Sequence, residues 1–176
     1  VSLGGRYEIR ASGVPVGLGS YVHYARKLDA RLAGLLMGQQ SVKAVEIGDG
    51  IKLAGALGSE AHDEIFYGKG RGYYHKTNRA GGIEGGMSNG SDIVVRVTMK
   101  PISTLAKPLA SVDMRTKKAA KASFERSDIC AVPAGSVIGE SLMAFGLADA
   151  FLEKFGGDSI GEIRRHYEGY LKQIRA

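Results

Sequence analysis

Residues 77–104 read TNRAGGIEGGMSNGSDIVVRVTMKPIST and combine a dense cluster of glycines with an alternating apolar strand. Glycine at this density either supplies turns at positive φ or lets a flat or phosphorylated ligand approach the main chain. The strand Ile93–Met99 places residues 93, 95, 97 and 99 on one face, and Pro101 stops it. The pattern predicts a glycine-rich ligand loop that leads into an alternating apolar strand.

The bulk composition is that of a globular chain with high glycine content and a basic balance. Of 176 residues 26 are glycine, 44% are hydrophobic and 24% are charged, and the formal net charge is +6. This length favours one domain over residues 1–176. The charge fits either a solvated surface or a basin for an anionic ligand. Nucleic acid is disfavoured as a partner, because no stacking aromatic residues interleave with the cations.

The chain carries one cysteine, Cys130, which cannot form an internal disulfide and so favours a reducing cytoplasm. No run of 18 apolar residues occurs, so we expect no membrane partner. Val1 opens directly into strand-like sequence without an initiator methionine, which predicts that the chain begins partway through a larger protein.

Periodicity predicts alternating strands and helices in the first half. Strands are expected at residues 6–13 and 41–47, and an amphipathic helix at 25–39 has Leu28, Leu32, Leu35 and Leu36 on one stripe. A helix followed directly by a strand indicates an α/β fold. Residues 51–76 are expected to form an exposed loop, because glycine and charge dominate there.

The second half is predicted to be mainly helical. A short strand is expected at residues 110–115, followed by a basic turn with Lys117, Lys118 and Lys121. The longest helix is predicted over Gly135–Phe155 with a broad buried apolar face made of Val137, Leu142, Phe145, Ala148, Phe151, Leu152 and Phe155. Asp158-Ser159 can cap a last helix with Glu162 in its first turn and Lys172 and Arg175 in its last.

The side chains that could take part in catalysis or ligand binding each allow more than one interpretation, and they do not identify a reaction. The four histidines lack metal-ligand spacing apart from a weak His62-Asp63-Glu64 triplet, so no metal is expected. Cys130 fits an inert buried thiol better than a nucleophile. Arg126 beside Asp128 could hold an anion, or could form a surface ion pair or helix cap. Lys100 with Ser103 and Thr104 offers a cation and two hydroxyls to a phosphate, or is a solvated strand end. The residues alone therefore indicate an anion-binding α/β protein.

Several longer strings resemble the chorismate synthase family, in that family's order and across nearly the whole chain. They are KLDARLAGLLM (27–37), VKAVEIGDG (42–50), GSEAHDEI (58–65), TNRAGGIEGGMSNG (77–90), MKPIST (99–104), ERSDICAVPA (125–134) and LADAFLEKFGGDS (147–159). The last two are more similar to the bacterial type than to the fungal type. The resemblance implies a β-α-β sandwich subunit in a homotetramer, of which this chain would be the C-terminal portion.

The resemblance also implies an activity, a cofactor and site residues. The family forms chorismate from 5-enolpyruvylshikimate 3-phosphate by anti-1,4 elimination of phosphate, the last step of the shikimate pathway, and requires reduced FMN, with NADPH as a source of reducing equivalents. Asp128 matches an aspartate beside the flavin that assists proton transfer. By position, the implied flavin contacts are Gln40, Ser41, Gly85, Lys100, Pro101, Ile102, Ser103, Thr104 and Arg126.

The chain departs from the family in one large respect. It corresponds to about half of the family's length, and none of its histidines, His23, His62, His75 and His166, matches the family's two active-site histidines. We therefore expect the chain alone to be inactive as a lyase, since acid catalysis needs a positioned proton donor. Two alternatives remain open: a non-catalytic flavin- or anion-binding module, and a structural or assembly fragment.

Overall fold

The computed structural model describes residues 1–174 and has an α/β architecture. Two short 3-10 helices, Tyr24–Arg26 and Gly50–Gly55, accompany the main elements. In chain order these are β1 (Gly5–Ala11), α1 (Leu28–Met37), β2 (Val42–Ile47), α2 (Gly58–Ala61), β3 (Ile65–Gly68), β4 (Gly72–His75), β5 (Ile83–Glu84), β6 (Met87–Ser88), β7 (Ile93–Met99), β8 (Ala110–Val112), β9 (Ala119–Lys121), α3 (Val132–Phe155) and α4 (Ile160–Ile174).

Strand β7, which the alternation predicted, is the centre of the main sheet. It pairs antiparallel with β1 on one side and with β2 on the other, so that Val97 lies opposite Tyr7 and Val45. Ile93, Val95 and Val97 have no solvent exposure. Their side chains face α1, whose Leu28, Leu32 and Leu36 are equally buried. Truncating any one of these leucines to alanine would cost about 2–5 kcal/mol.

The opposite face of the sheet is charged. Arg96 on β7 lies between Glu8 on β1 and Glu46 on β2 in the strand register. Its Nε donates to Glu8 at 2.9 Å, and its guanidinium also bonds the carbonyl of Gly48. A hydrogen bond from Arg10 and the charges of Arg10 and Arg96 hold the pKa of Glu8 below its usual value. One side of the sheet therefore packs on helices while the other carries ion pairs.

The long helix α3 packs through a face that the sequence prediction did not identify. Gly135, Gly139, Gly146 and Ala150 turn inwards, and a Cβ built on Gly139 would lie 2.5 Å from the Tyr7 hydroxyl. Several residues predicted to be buried instead face outwards, including Val137 at 63% and Phe145 at 67% exposure. Phe155 is buried, and Leu142 and Phe151 pack against the core, as predicted. The prediction was wrong for the outward-facing residues because it ranked faces by side-chain size, whereas α3 approaches α1 and β1 closely through its glycines.

Helix α3 is also long and apolar enough to cross a bilayer, judged by length and composition alone. In its most apolar 18-residue window, 28% of the residues are buried.

The C-terminal end of α3 meets α4 in an aromatic cluster in which Phe155 contacts Phe151, Tyr167 and Tyr170. The predicted cap of α4 is present as a capping box. Glu162 accepts hydrogen bonds from the amides of Asp158 and Ser159. Arg175, predicted in the last turn of this helix, lies outside the described residues.

Residues 51–76 are more ordered than the predicted loop. They contain α2 and the antiparallel hairpin β3–β4, in which Phe66 pairs with Tyr74 and Tyr67 with Tyr73 across the strands. Lys76 lies over the Phe66 ring and Arg71 over the Tyr74 ring, both at 3.8 Å from the ring centroid. Aromatic residues on both sides of the Gly68–Gly72 turn were the strand signal that the sequence prediction missed.

Candidate functional site

The glycine-rich loop is held by a buried carboxylate on the segment before it. Asp63 accepts hydrogen bonds from the amides of Arg79 and Ala80, both at 2.9 Å, and from the Thr77 hydroxyl at 2.6 Å. Burial opposes ionisation of Asp63, but these donors outweigh it and hold the pKa of the carboxyl below its usual value. In the sequence, the His62-Asp63-Glu64 triplet was only a weak candidate for metal binding. In the structure, Asp63 instead holds the glycine-rich loop in place.

Most glycines of this loop serve packing rather than ligand binding. Gly81 and Gly82 are buried with φ of 65° and 78°, and a Cβ on either would clash with backbone atoms of Gly48 or Asp92. Gly85 differs from both. It is exposed at φ 58°, and no atom of the described residues lies within 4 Å of the position its Cβ would take. Gly85 is therefore the position in this loop that leaves open space for a ligand.

Gly85 lies at the N-terminal end of α1. It forms the turn between β5 and β6 together with Gly86, whose carbonyl accepts a hydrogen bond from the amide of Leu28 at 2.8 Å. Leu28 is the first residue of α1. The turn is therefore fixed against the beginning of this helix.

The other predicted flavin contacts meet at the opposite end of α1. Gln40 and Ser41 follow the helix, and the Ser41 carbonyl accepts a hydrogen bond from the Lys100 amide at 2.9 Å. Ser41 has φ of 68°, a strained value for a residue with a side chain. Lys100 begins the segment Lys100–Thr104 directly after β7, and the Ile102 carbonyl accepts from the Ser2 hydroxyl at 2.9 Å.

The segment with Arg126 and Asp128 lies beside Lys100–Thr104. The Ser127 hydroxyl donates to the Thr104 carbonyl at 3.3 Å, and the Ile129 carbonyl accepts from the Leu3 amide at 2.7 Å. Lys100, Arg126 and Asp128 are all exposed. Within residues 1–174 none of the three forms a salt bridge. Two cations and a carboxylate are thus presented to solvent at one end of the sheet.

The predicted site residues therefore fall into two groups. Gln40, Ser41, Lys100–Thr104, Arg126 and Asp128 form one group at the C-terminal end of α1, and Gly85 is separated from it by the length of that helix. Since α1 has ten residues, the separation is roughly 15 Å. The flavin contacts implied by the resemblance are thus not brought together in one compact cluster of this chain.

A cleft between α1 and α3 opens next to the larger group. Its volume is about 610 Å³, and we call it the α1–α3 cleft. Gln40, Ser41 and Met99 line one end of it, and apolar side chains such as Leu35, Ile138 and Leu142 line the rest. The cleft therefore offers an apolar lining with the polar side chains of Gln40 and Ser41 to a partly apolar ligand.

Gln39 is a supporting residue that sequence reasoning missed. It accepts a hydrogen bond from the Tyr7 hydroxyl at 2.6 Å and donates to the Gly135 carbonyl at 2.8 Å. This one side chain joins β1, the end of α1 and the start of α3, and so fixes the position of Gln40 and Ser41. No local pattern marks it, because its partners are 32 and 96 residues away.

No group of three or more histidine, cysteine, aspartate or glutamate side chains that could hold a metal ion occurs in the part of the chain that the structure describes.

Comparison with known proteins identifies the family. The family profile described as "Chorismate synthase" matches residues 1–152. The chorismate synthase of Geobacter sulfurreducens is 58% identical over 182 residues, which cover 99% of this chain and 46% of that protein. That of Desulforudis audaxviator is 60% identical over 175 residues, covering 99% of this chain and 45% of that protein.

A solved structure agrees with the sequence relatives. The "Crystal Structure of Chorismate Synthase" superimposes with a TM-score of 0.82 at 43% identity, covering 98% of this chain and 44% of that one. The α/β fold predicted from the sequence is therefore confirmed. The chain spans about half the length of the curated relatives that it matches. On the profile match, the identities and the shared fold, the chain belongs to the chorismate synthase family.

Proposed function

We propose that this chain supplies one wall of the reduced-FMN and substrate site of a chorismate synthase. The reaction would be anti-1,4 elimination of phosphate from 5-enolpyruvylshikimate 3-phosphate to give chorismate. The observation that carries the proposal is the meeting of Gln40–Ser41, Lys100–Thr104 and Arg126–Asp128 at one end of α1. These segments are far apart in sequence. The Lys100 amide bonds the Ser41 carbonyl and the Ser127 hydroxyl bonds the Thr104 carbonyl, and Gln40 and Ser41 line the α1–α3 cleft.

The residues present are chemically suited to FMN and to a phosphorylated dicarboxylate. Both ligands are anionic, and the Lys100 and Arg126 cations are exposed without a salt bridge among the described residues. Ser103 and Thr104 add hydroxyl donors. The apolar part of the cleft matches a flat ring system, while a guanidinium can bind a carboxylate or phosphate with two parallel hydrogen bonds.

Each side chain would then have a separate role. Lys100 and Arg126 would hold the anionic groups and stabilise the charge that develops on the departing phosphate. Asp128 would hold or pass a proton at its carboxylate. Ser41, fixed through its carbonyl to Lys100, would keep the floor of the pocket rigid. Bound reduced FMN supplies electron density to the substrate in this chemistry.

The wider assignment follows from the family resemblance. It comprises NADPH as the source of reducing equivalents, a homotetramer, cytoplasmic location, and no nucleic-acid or membrane partner. The chain alone would not catalyse the reaction, because this half places its charged groups on an open surface and offers no matched histidine to donate a proton.

The test uses a full-length chimaera in which this chain replaces the matching part of the Geobacter sulfurreducens relative. We expect the chimaera to form chorismate with reduced FMN, and Lys100→Ala or Arg126→Ala to lower kcat/KM by about 10²-fold or more, the size expected for lost charge stabilisation. Lys43→Ala, at an exposed lysine on β2 that does not line the cleft, is the matched control and should retain activity.

Full activity of both site variants would contradict the assignment of these residues. Chorismate formation at the chimaera's rate by the 176-residue chain alone would contradict the proposed dependence on the remainder of the protein. Titration of the chain with oxidised FMN, followed by flavin fluorescence, would separate a stand-alone flavin-binding module from a half-site.

A further inference from the structure

A second cavity lies between the C-terminal end of α3 and α4. Its volume is about 410 Å³, and we call it the α3–α4 cavity. None of the predicted flavin contacts lines it, and its described lining residues all follow residue 152, where the match to the family profile ends. Its lining side chains are basic, polar and aromatic: Lys154, Phe155, Arg165, His166, Tyr170 and Gln173. None of these described residues is acidic.

Tyr170 holds one cation of the cavity in place. Its hydroxyl donates to the Val16 carbonyl at 2.9 Å, and its ring packs on that of Phe155 with the centroids 5.4 Å apart. The Lys154 ammonium lies 4.3 Å from the centroid of the Tyr170 ring. A lysine over an aromatic face keeps its full charge and its hydrogen-bond donors, because the ring carries no opposite net charge. Lys154 is therefore positioned without being neutralised.

The positive charge of the cavity has no carboxylate partner among the described residues. Neither Lys154 nor Arg165 forms a salt bridge within residues 1–174. The nearby carboxylates are engaged elsewhere. Glu153 pairs with the arginines of the first 3-10 helix and of α1, and Glu162 caps α4. A ligand with a negative charge would thus meet two unneutralised cations.

Cations near a helix C-terminus can also serve only to complement the helix dipole. At the end of α3 this role is filled by His166, whose Nδ1 lies 2.8 Å from the Gly156 carbonyl and 3.1 Å from the Phe155 carbonyl. Since a carbonyl oxygen can only accept, Nδ1 carries the hydrogen in these contacts. The Lys154 and Arg165 charges are therefore available to a ligand.

We propose that the α3–α4 cavity binds a small organic anion, a carboxylate or phosphate on a compact apolar body, separately from the candidate flavin site. The Arg165 guanidinium would bind the anionic group with two parallel hydrogen bonds, and the Lys154 ammonium would add a charged donor. The apolar body would contact the Tyr170 ring. The volume of about 410 Å³ lies within the range of roughly 300–1,000 Å³ that small-molecule sites occupy.

The proposal is tested by NMR titration of the isotope-labelled 176-residue chain with sodium benzoate and, separately, with inorganic phosphate. The two probes distinguish a carboxylate site from a phosphate site, and benzyl alcohol is the uncharged counterpart of benzoate. We expect saturable shifts of the Gly169 amide, which lies in the lining, with at least one of the two anions and none with benzyl alcohol.

The decisive comparison is between two neighbouring arginines of α4. Arg165→Gln should raise the Kd by about tenfold or more, the size expected for lost hydrogen bonds to a charged partner. Arg164→Gln is the matched control, since Arg164 is also exposed but does not line the cavity, and it should leave the Kd nearly unchanged. Lys154→Gln is a second site variant and should weaken binding in the same direction.

An absence of saturable shifts with both anions would overturn the proposal and leave the two cations as complements of the α3 dipole. Equal losses of affinity in Arg164→Gln and Arg165→Gln would also overturn it, because general charge attraction would then account for the binding. Shifts confined to Lys100–Thr104 and Arg126 would assign the anion to the candidate flavin site instead. These readouts do not involve turnover, so the proposed lyase function stands or fails separately.

Discussion

Asp63 shows how a single carboxylate can organise the glycine-rich loop. It accepts three hydrogen bonds from residues 77–80, and it is only 8% exposed. Asn78 completes the loop by donating to the Asp92 carbonyl and accepting from the Gly82 amide, both at 2.8 Å. The positive φ at Gly81 and Gly82 lets the chain pass against Gly48. The turn at Gly85 is therefore presented on a rigid base.

Replacing Asp63 by asparagine should destabilise the fold by about 1–3 kcal/mol, because an amide NH₂ would face backbone donors that need an acceptor. The measurement is the free energy of unfolding from urea titration. Asp113→Asn is a suitable control: Asp113 also accepts bonds from a nearby turn, but it is fully exposed and its loss should have a much smaller effect.

The pH dependence gives an independent check of the same carboxylate. The folded-state pKa of Asp63 is lowered, so its contribution is present above the unfolded-state value of about 3.9 and is lost as pH falls through the folded value. The stability gap between the parent chain and Asp63→Asn should therefore narrow as pH falls below about 4. A gap that stayed constant from pH 7 to pH 3 would contradict this role.

At the scale of elements, α3 is defined by how closely it approaches its neighbours. Gly139 lies against the Tyr7 ring, and Gly146 against the side chains of Leu32 and Leu35. Burial raises the pKa of Tyr7, although its hydrogen bond to Gln39 partly opposes this. Side-chain size at these glycine positions therefore controls the helix–sheet distance, and with it the width of the α1–α3 cleft.

Gly139→Ala should destabilise the protein by about 1–3 kcal/mol, because the new methyl group would overlap Tyr7 in a packed interface. Gly169→Ala is the matched control in α4, where no atom of the described residues lies within 4 Å of the added methyl group. It should instead stabilise by about 0.5–1 kcal/mol through helix propensity. The measurement is the thermal unfolding midpoint of both variants. Equal shifts of the two midpoints would contradict the packing described for α3.

The same elements show which features a sequence can predict. Strand β7 and the α1 leucines were predicted because alternation and a four-residue period are local signals. The buried face of α3 was not, since Gly135 and Gly139 carry no apolar side chain to detect. Asp63 binds residues 14 to 17 positions away, and no window of periodicity spans that distance. The residues of the larger site cluster were predicted from the resemblance to the family. Their separation from Gly85 could not be predicted, because it depends on the path of α1 in three dimensions.

At the scale of the whole molecule, the charges on one face of the sheet are paired, whereas other charged and apolar groups are exposed to solvent. The charged face of the sheet is neutralised by ion pairs around Arg96, whereas α3 exposes large apolar side chains such as Phe145 and the cations at the end of β7 face solvent. The chain spans about half the length of the curated relatives that it matches.

The most direct test of the central claim is a crystal structure of the full-length chimaera with FMN and 5-enolpyruvylshikimate 3-phosphate bound. We predict anionic groups of the ligands within hydrogen-bonding distance of Lys100–Thr104 and of the Arg126 guanidinium, with the flavin ring over the mouth of the α1–α3 cleft. A structure in which FMN and substrate occupy another surface, while Lys100, Arg126 and Asp128 remain in solvent, would contradict the account.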